Sequence, residues 1–231
     1  VDTERIFSFF SSFPVRSCEL NALPNIQQAL NDTIYNCTTP ASRERKKAEY
    51  RHTNPAGNLF GLSFAMSEVD RLAYVVKFIE FLCIVDDVME DLPFKEACIE
   101  HAILRQALYE CYDDDHYGGR TVGSMKSFLR ELRIELASLN DPNTTLLLET
   151  LDNSLRFRDS DDSEFKTLAD FVCQLLRWGM KIPLAQEDPL VRTYEHIIGV
   201  IVGLTNDFFS WEMERQQATD RIRNAVSVLM K

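Results

Sequence analysis

The feature that most restricts the fold is a long apolar stretch that ends in three regularly spaced polar residues. Asp188 and Pro189 form an N-cap and a first-turn proline, which predict a helix that continues to about Glu214. Within it, Asn206, Ser210 and Glu214 follow one another at intervals of four residues. Because a helix has about 3.6 residues per turn, these three side chains are expected on one face.

These side chains are of the types that a hard divalent cation prefers. An amide oxygen, a hydroxyl and a carboxylate suit Mg²⁺. The alternative is that they lie on the wet face of an amphipathic helix. Residues 197–204, I-I-G-V-I-V-G-L, are apolar on all sides, which predicts a helix buried all round. Because buried polar groups need partners, we favour metal binding by Asn206, Ser210 and Glu214.

A second motif, D-D-V-M-E-D, occupies residues 86–91. Its carboxylates Asp86 and Glu90 are spaced i, i+4, as are Asp87 and Asp91, and carboxylates on one face repel unless a cation bridges them. Asp86 also continues an apolar stripe from the preceding turns. Alone, the motif fits a solvated acidic helix end better. Together with the later motif, it predicts Asp86, Asp87 and Glu90 as metal ligands.

The remaining periodicity is helical and predicts an all-α chain. Ser67 and Asp70 resemble a capping box that begins a helix running to about Asp91. No stretch has the period-two alternation of a strand. Acidic clusters at 113–115 and 159–162 are expected to be solvated loops. Further helices are predicted at 94–111, 124–138, 144–156 and 219–230.

The composition limits the partners. The net charge of −11 disfavours nucleic acid and anionic membrane surfaces, and a protein this acidic needs cations to bind a diphosphate. No apolar run reaches the length of a membrane span, and no secretory signal is visible, so we expect a cytoplasmic protein. The six scattered cysteines are then expected to be reduced.

The two motifs resemble the aspartate-rich motif and the N-D-x-x-S-x-x-x-E triad of class I terpene cyclases. Four further stretches, at 55–64, 178–184, 203–212 and 220–231, resemble the cyclase half of fungal chimeric enzymes. Those enzymes fuse the cyclase to a C-terminal prenyltransferase and make di- and sesterterpenes. The resemblance implies the class I terpenoid synthase fold, an α-helical bundle around a central cavity.

The resemblance also implies a function: Mg²⁺-dependent ionisation and cyclisation of geranylgeranyl or geranylfarnesyl diphosphate. Three Mg²⁺ ions are expected, two held by the 86–91 side and one by the later motif. For each aromatic residue near the cavity, ordinary core packing is the alternative, and for Gly203 it is close helix packing. The residues expected to contact substrate are Asp86, Asn206, Ser210, Glu214, Phe60, Phe64, Ile79, Leu82, Trp178 and Gly203.

The chain also departs from the resemblance. It lacks the diphosphate-sensing arginine expected before W-G-M, and it lacks the C-terminal Arg-Tyr pair. Met213 stands where these enzymes usually have a basic residue, and Arg215 or Lys181 would have to supply that charge instead. We therefore expect a single cyclase domain, 1–231, that is incomplete. An internal segment near Phe171–Val172 and the last helices are expected to be missing. A fused prenyltransferase domain, with a homo-oligomer formed through it, is a further expectation.

Two other functions compete with the cyclase. A chain-elongating prenyl diphosphate synthase shares the helical bundle, but it needs a second D-D-x-x-D motif, which the sequence lacks. A non-enzymatic helical interaction domain would use the acidic patches only for solubility. That interpretation leaves Asn206, Ser210 and Glu214 without a cation.

Overall fold

The computed structural model describes residues 23–52, 60, 63–109, 123–157, 166–183, 188–216 and 224–230. Regular structure within these ranges is helical throughout, which confirms the all-α prediction. The chain divides into two compact units, Val1–Ile84 and Val85–Lys231. None of the described helices combines the length and the apolar character that crossing a membrane requires.

The helices are numbered here in chain order. The first two belong to the first unit, the third runs through the division between the units, and the others belong to the second unit. Their bounds are α1 Pro24–Cys37, α2 Arg43–Arg51, α3 Val69–Met89, α4 Phe94–Gln106, α5 Gly123–Ala137, α6 Asn143–Phe157, α7 Lys166–Gly179, α8 Pro189–Glu214 and α9 Ala225–Leu229.

In the first unit, a buried arginine joins α2 to the end of α1. The Arg45 guanidinium donates to the hydroxyl of Thr38 at 2.6 Å and to its carbonyl at 2.7 Å. The same group lies 4.5 Å from the centroid of the Tyr35 ring. Because the last carbonyls of a helix lack intrahelical partners, Arg45 satisfies a group that the end of α1 leaves open.

The α3 helix is buried on nearly every side, and it includes a buried charge. Glu80 has no exposed surface, and its carboxylate lies 3.0 Å from Arg51 Nη2 and 2.7 Å from His52 Nε2. Both partners stand at the end of α2. A charge this deeply buried needs such partners, because its desolvation is otherwise uncompensated. The fully buried apolar residues of this helix are Leu72, Val75, Val76, Phe78, Phe81, Ile84 and Val85.

In the second unit, helices that are close in the chain pack on one another. α6 packs against α7, α7 against α8, and α8 against α9, while α4 contacts α5 and α6. Asp152 on α6 accepts hydrogen bonds from Arg105 at 2.7 and 3.1 Å and from Arg156 at 2.9 Å. Burial alone would raise the pKa of Asp152, but the hydrogen bonds, chiefly from Arg105, outweigh it and hold that pKa below its usual value.

The predicted N-cap of α8 is correct, whereas the one predicted for α3 is not. The N–H of Leu190 donates to the Asp188 carboxylate at 2.8 Å, which confirms Asp188 as the N-cap of α8. The capping box predicted from Ser67 and Asp70 is wrong. The first helical hydrogen bonds of α3 begin at the carbonyl of Glu68, and the Ser67 hydroxyl has no hydrogen-bond partner among the described residues.

Other predicted bounds need correction. The helix predicted at 94–111 ends at Gln106. Within the described part of the helix predicted at 219–230, helical residues begin at Ala225, because Asn224 is extended and caps α9 with its side chain. Residues 219–223 lie outside the described residues. No helix is predicted over α1 or α2, although Ile26, Leu30 and Ile34 recur at helical spacing in α1. The acidic clusters at 113–115 and 159–162 lie outside the described residues.

Candidate metal centre

One face of α8 contains the residues predicted from the later motif to bind metal. The helix is continuous from Pro189 to Glu214, so Asn206, Ser210 and Glu214 keep their helical spacing. Asn206 is exposed, and its carboxamide has no hydrogen bond to any described residue. Ser210 is half-buried, and the side chain of Glu214 lies outside the described part of the structure.

The described donors on this face fit a hard divalent cation. The hydroxyl oxygen of Ser210 has one long contact, at 3.4 Å from Asn224 Nδ2, so it keeps a lone pair for another partner. The carboxamide oxygen of Asn206 is equally available. Neutral oxygen donors of these types are ligands that Mg²⁺ accepts in proteins.

The prediction that α8 is buried all round is wrong. Most of its apolar side chains are exposed, and the exposed fraction reaches 81% at Leu190 and 68% at Phe208. Among the residues of α8 whose burial is described, only Gly199 and Asp207 are buried. An apolar sequence does not determine how many neighbours cover a helix, which is the physical reason for the error. The ligand role of Asn206 therefore depends on spacing and donor chemistry, not on burial.

Asp207, between the two described candidate ligands, is buried and has a different set of contacts. Its Oδ2 accepts the N–H of Ala225 at 2.7 Å. Its carbonyl accepts a hydrogen bond from Asn224 Nδ2 at 2.8 Å. These two bonds join α8 to the start of α9 within one turn of Ser210.

The face of α8 that contains Asn206 also meets α7. Arg177 Nε donates to Glu195 Oε1 at 2.8 Å, and both side chains are largely buried. Glu195 precedes Asn206 by about three helical turns and lies on the same face. Burial, with a smaller contribution from the negative charge of Glu195, raises the pKa of the nearby Cys173 thiol to about 11.

The α7 helix ends in a Schellman-type turn. The N–H of Ile182 donates to the Arg177 carbonyl at 2.9 Å, and the N–H of Lys181 donates to the Trp178 carbonyl at 3.0 Å. Lys181 has a φ of 56°, which is the left-handed conformation that this turn requires. The helix therefore ends at Gly179, two residues before Lys181.

Arg215 and Lys181 are the basic residues that would replace the one missing at Met213. Arg215 pairs with Glu212 at 2.7 Å on the exposed surface, and Lys181 is exposed just after α7.

The α7 helix runs without interruption through Phe171 and Val172, where the sequence predicts a missing segment. Whether a segment is missing there stays a prediction.

The acidic motif at 86–91 spans the last turn of α3. Asp86, Asp87 and Glu90 are half-buried, whereas Asp91 is exposed. The N–H of Glu90 donates to the Asp86 carbonyl at 2.9 Å, so helical geometry continues past Met89. Across the described ranges, no three His, Cys, Asp or Glu side chains lie close enough together to hold a metal ion. The ligand role of these carboxylates stays a prediction.

The apolar residues predicted to contact the substrate are divided between the two units. Ile79, in the first unit, and Gly203, in the second, are half-buried, and the others are buried. Burial fits both a cavity wall and ordinary core packing, so their substrate contacts stay a prediction. The buried ones are Phe60, Phe64 and Leu82 in the first unit and Trp178 in the second.

Sequence reasoning missed the side chains that join α8 to the neighbouring helices α7 and α9. Asn224 could have been found, because an asparagine directly before a short apolar run is a common N-cap. No local pattern relates it to Asp207, and none relates Arg177 to Glu195, since each pair joins two helices. Contacts of this kind depend on packing, which a single sequence does not specify.

Two comparisons with known proteins bear on this geometry. The family model for terpene synthase family 2, C-terminal metal binding, matches residues 165–231, a range that includes the later motif. A sesterterpene synthase of Colletotrichum orbiculare is 24% identical over 204 residues. Those residues are 77% of this chain and 28% of that protein, so the chain spans less than a third of the length of this relative.

The matches and the fold point in the same direction. The matched family region is a metal-binding region, which implies a divalent cation, and the related protein is a fungal terpene synthase. The all-α architecture and the helical spacing of the later motif agree with both findings. The chain is therefore similar to a sesterterpene synthase over most of its length, and residues 165–231 match the metal-binding region of terpene synthase family 2.

Proposed function

We propose that this chain is the cyclising domain of an enzyme that converts a linear isoprenoid diphosphate into a polycyclic terpene. The observation that most supports it is the presence of Asn206 and Ser210 on one face of α8, within the range that the metal-binding family model matches. The substrate is geranylgeranyl or geranylfarnesyl diphosphate. The relative's name, a sesterterpene synthase, favours the longer one.

The metal would be held from two sides. Asn206, Ser210 and Glu214 would hold one Mg²⁺, and the carboxylates of Asp86, Asp87 and Glu90 would hold two more. Bound Mg²⁺ would supply charge neutralisation of the diphosphate leaving group, so that its C–O bond can ionise.

The position of the acidic motif supports a cationic partner. Asp86, Asp87 and Glu90 stand at the C-terminal end of α3, where the helix dipole is negative. Carboxylates placed there are repelled by the helix end as well as by each other. A divalent cation removes both repulsions, and half-buried side chains leave the motif accessible to one.

The apolar residues would protect a reactive cation from water. Phe60, Phe64 and Trp178 are buried aromatic side chains, and an aromatic face stabilises positive charge without acting as a nucleophile. Leu82 and Ile79 would add apolar surface that excludes water from the substrate. Gly203 has no side chain and would leave room for the isoprenoid chain beside α8.

The test is product formation by the full-length protein. It would be incubated with the C15, C20 and C25 diphosphates and Mg²⁺, and hydrocarbons would be analysed by gas chromatography. We expect a cyclic product from the C20 or C25 substrate. Asn206→Ala and Ser210→Ala should each lower turnover by about 100-fold or more, because each removes an oxygen ligand.

Thr193→Ala is the matched control for Ser210→Ala. Thr193 lies on the same helix, is exposed, and donates its hydroxyl to the Pro189 carbonyl at 2.9 Å. Its loss should leave turnover unchanged. In a parallel reaction that also contains isopentenyl diphosphate as the C5 donor, a longer prenyl diphosphate as the product would instead identify a chain-elongating enzyme. Full activity in the Asn206 and Ser210 variants would refute the ligand assignment.

A further inference from the structure

We propose that Asn224 is a positioning residue for the metal centre, which directs the Ser210 hydroxyl while Asp207 holds Asn224 in place. The inference rests on the proposed function, because it takes Ser210 as a metal ligand. It adds two residues to which the sequence assigned no role. Asp207 and Asn224 are both buried, and neither has the spacing of a ligand in the later motif.

The side chain of Asn224 is fully buried and uses both ends of its carboxamide. Its Oδ1 accepts the N–H of Val226 at 2.9 Å and so caps α9. Its Nδ2 donates to the Asp207 carbonyl at 2.8 Å and reaches Ser210 Oγ at 3.4 Å. An amide nitrogen has two hydrogens, so one can serve each acceptor. This arrangement leaves the carboxamide a single orientation.

The contact with Ser210 has a directional consequence. A hydroxyl oxygen has one hydrogen and two acceptor sites, and Asn224 occupies one of the acceptor sites. The hydroxyl hydrogen must then point elsewhere, and the second lone pair is left for another partner. At 3.4 Å the contact is longer than a strong hydrogen bond, so it orients the hydroxyl more than it stabilises the fold.

Asp207 fixes the other end of this arrangement. Its carboxylate accepts the N–H of Ala225 at 2.7 Å, directly after Asn224. Asp207 follows Asn206 and is turned about 100° around the helix from it, towards α9 and away from the ligand face. The clamp of Asp207, Asn224 and Ala225 therefore holds α9 against α8 beside Ser210. The same clamp explains why an acidic residue in this motif is buried without being a ligand.

The test compares metal binding in a double-mutant cycle in the full-length protein. The variants are Ser210→Ala, Asn224→Ser and the combination of both. Serine still caps a helix but is too short to span from α9 to Ser210. Binding of Mn²⁺ in the presence of inorganic diphosphate would be followed by the electron paramagnetic resonance signal of free Mn²⁺. Thermal unfolding of each variant would be recorded in parallel.

We expect Asn224→Ser to weaken Mn²⁺ binding about 10-fold, as the loss of an outer-shell contact does. In the Ser210→Ala background the same change should have no further effect on binding, because its target is gone. The thermal destabilisation by Asn224→Ser should persist in both backgrounds. Asp141→Ala is the matched control: it removes the contact to the Asn143 N–H at the start of α6, and should lower stability without weakening Mn²⁺ binding.

Several results would overturn the inference. Equal weakening by Asn224→Ser in both backgrounds would mean that it acts on the fold and not through Ser210. Normal binding by Asn224→Ser, with weak binding by Ser210→Ala, would refute the positioning role and leave the proposed function intact. Normal binding by Ser210→Ala would refute both. If Asn224→Ser does not fold, Asn224→Asp replaces it in the cycle, since it keeps the cap and lacks the donor.

Discussion

The helices α3 and α8 both end in a motif predicted to bind metal, yet their surroundings differ. In α3, residues such as Leu72 and Phe78 have no exposed surface, and burial extends around the helix. In α8, whose sequence is just as apolar, most of the large apolar side chains are exposed. The two sequences therefore predict the same environment, and the structure gives it to only one of them.

The two helices also differ in which polar side chains they bury. Asn206 on α8 is exposed, although the apolar sequence before it predicts burial. On α3 the fully buried polar residue is Glu80, and its partners are the side chains of Arg51 and His52. A polar group in a buried helix does require a partner, and here the chain supplies it. Metal binding at α8 thus needs support from spacing and from the family match instead.

The largest effect should come from Glu80. Glu80→Ala leaves Arg51 and His52 without their acceptor beside a new cavity, so we expect a loss of about 3–5 kcal/mol in the free energy of unfolding. Urea unfolding followed by far-UV circular dichroism would measure it. Glu80→Gln keeps the volume and one acceptor oxygen and should cost less than Glu80→Ala. A loss below about 1 kcal/mol in Glu80→Ala would show that the buried pair contributes little.

The same substitution in the two helices measures their burial directly. Leu72 on α3 is fully buried, whereas Leu204 on α8 is about half exposed. Leu72→Ala should cost about 2–5 kcal/mol, because it removes buried methyl groups and leaves a cavity. Leu204→Ala should change stability by about 0.5 kcal/mol or less. Both follow from the same urea titration.

Equal costs at the two positions would contradict the comparison. A large cost at Leu204 in the full-length protein would mean that α8 is covered there by another part of the polypeptide or by a second molecule. A small cost at Leu72 would mean that the region around α3 relaxes into the cavity. Circular dichroism spectra of both variants in the absence of urea would establish that each is folded before the titrations are compared.

Local signals allowed much of the fold to be predicted. The Asp188–Pro189 pair begins α8 because a short acidic cap and a proline act within one turn. The helical spacing of Asn206 and Ser210 follows from the backbone alone. By contrast, neither α1 nor α2 is predicted, although Ile26, Leu30 and Ile34 have helical spacing in α1. The α2 helix has few apolar residues, and contacts with the preceding helix hold it in place. Arg45 is an example, since its partners lie on the preceding helix.

The sequence predicts the candidate ligands of the site, but it does not predict the residues of other helices that contact them. Ser210 belongs to a motif with fixed spacing, but Asn224 reaches it from another helix, and no sequence pattern specifies that contact. The burial of α8 was overestimated for a related reason. Apolar residues on all sides favour burial, yet the neighbours that provide it are chosen by tertiary packing.

The smallest effects should distinguish the starts of the two helices. Asp188 caps α8 through the Leu190 N–H, whereas the Ser67 hydroxyl before α3 is buried without a hydrogen-bond partner in the described part of the chain. Asp188→Ala should therefore cost about 1 kcal/mol. Ser67→Ala should be neutral or slightly stabilising, because it removes a buried hydroxyl that forms no bond.

Asp188→Asn is the control, because asparagine caps a helix about as well as aspartate and should restore nearly all of the stability. Failure of that rescue would assign the effect to the charge of Asp188 near the positive end of the helix dipole, and a dependence on salt concentration would support this. If Ser67→Ala costs as much as Asp188→Ala, then the Ser67 hydroxyl is hydrogen-bonded in solution and the two helices begin alike. A neutral Ser67→Ala with a destabilising Asp188→Ala would place the difference between α3 and α8 at their first turns as well as along their lengths.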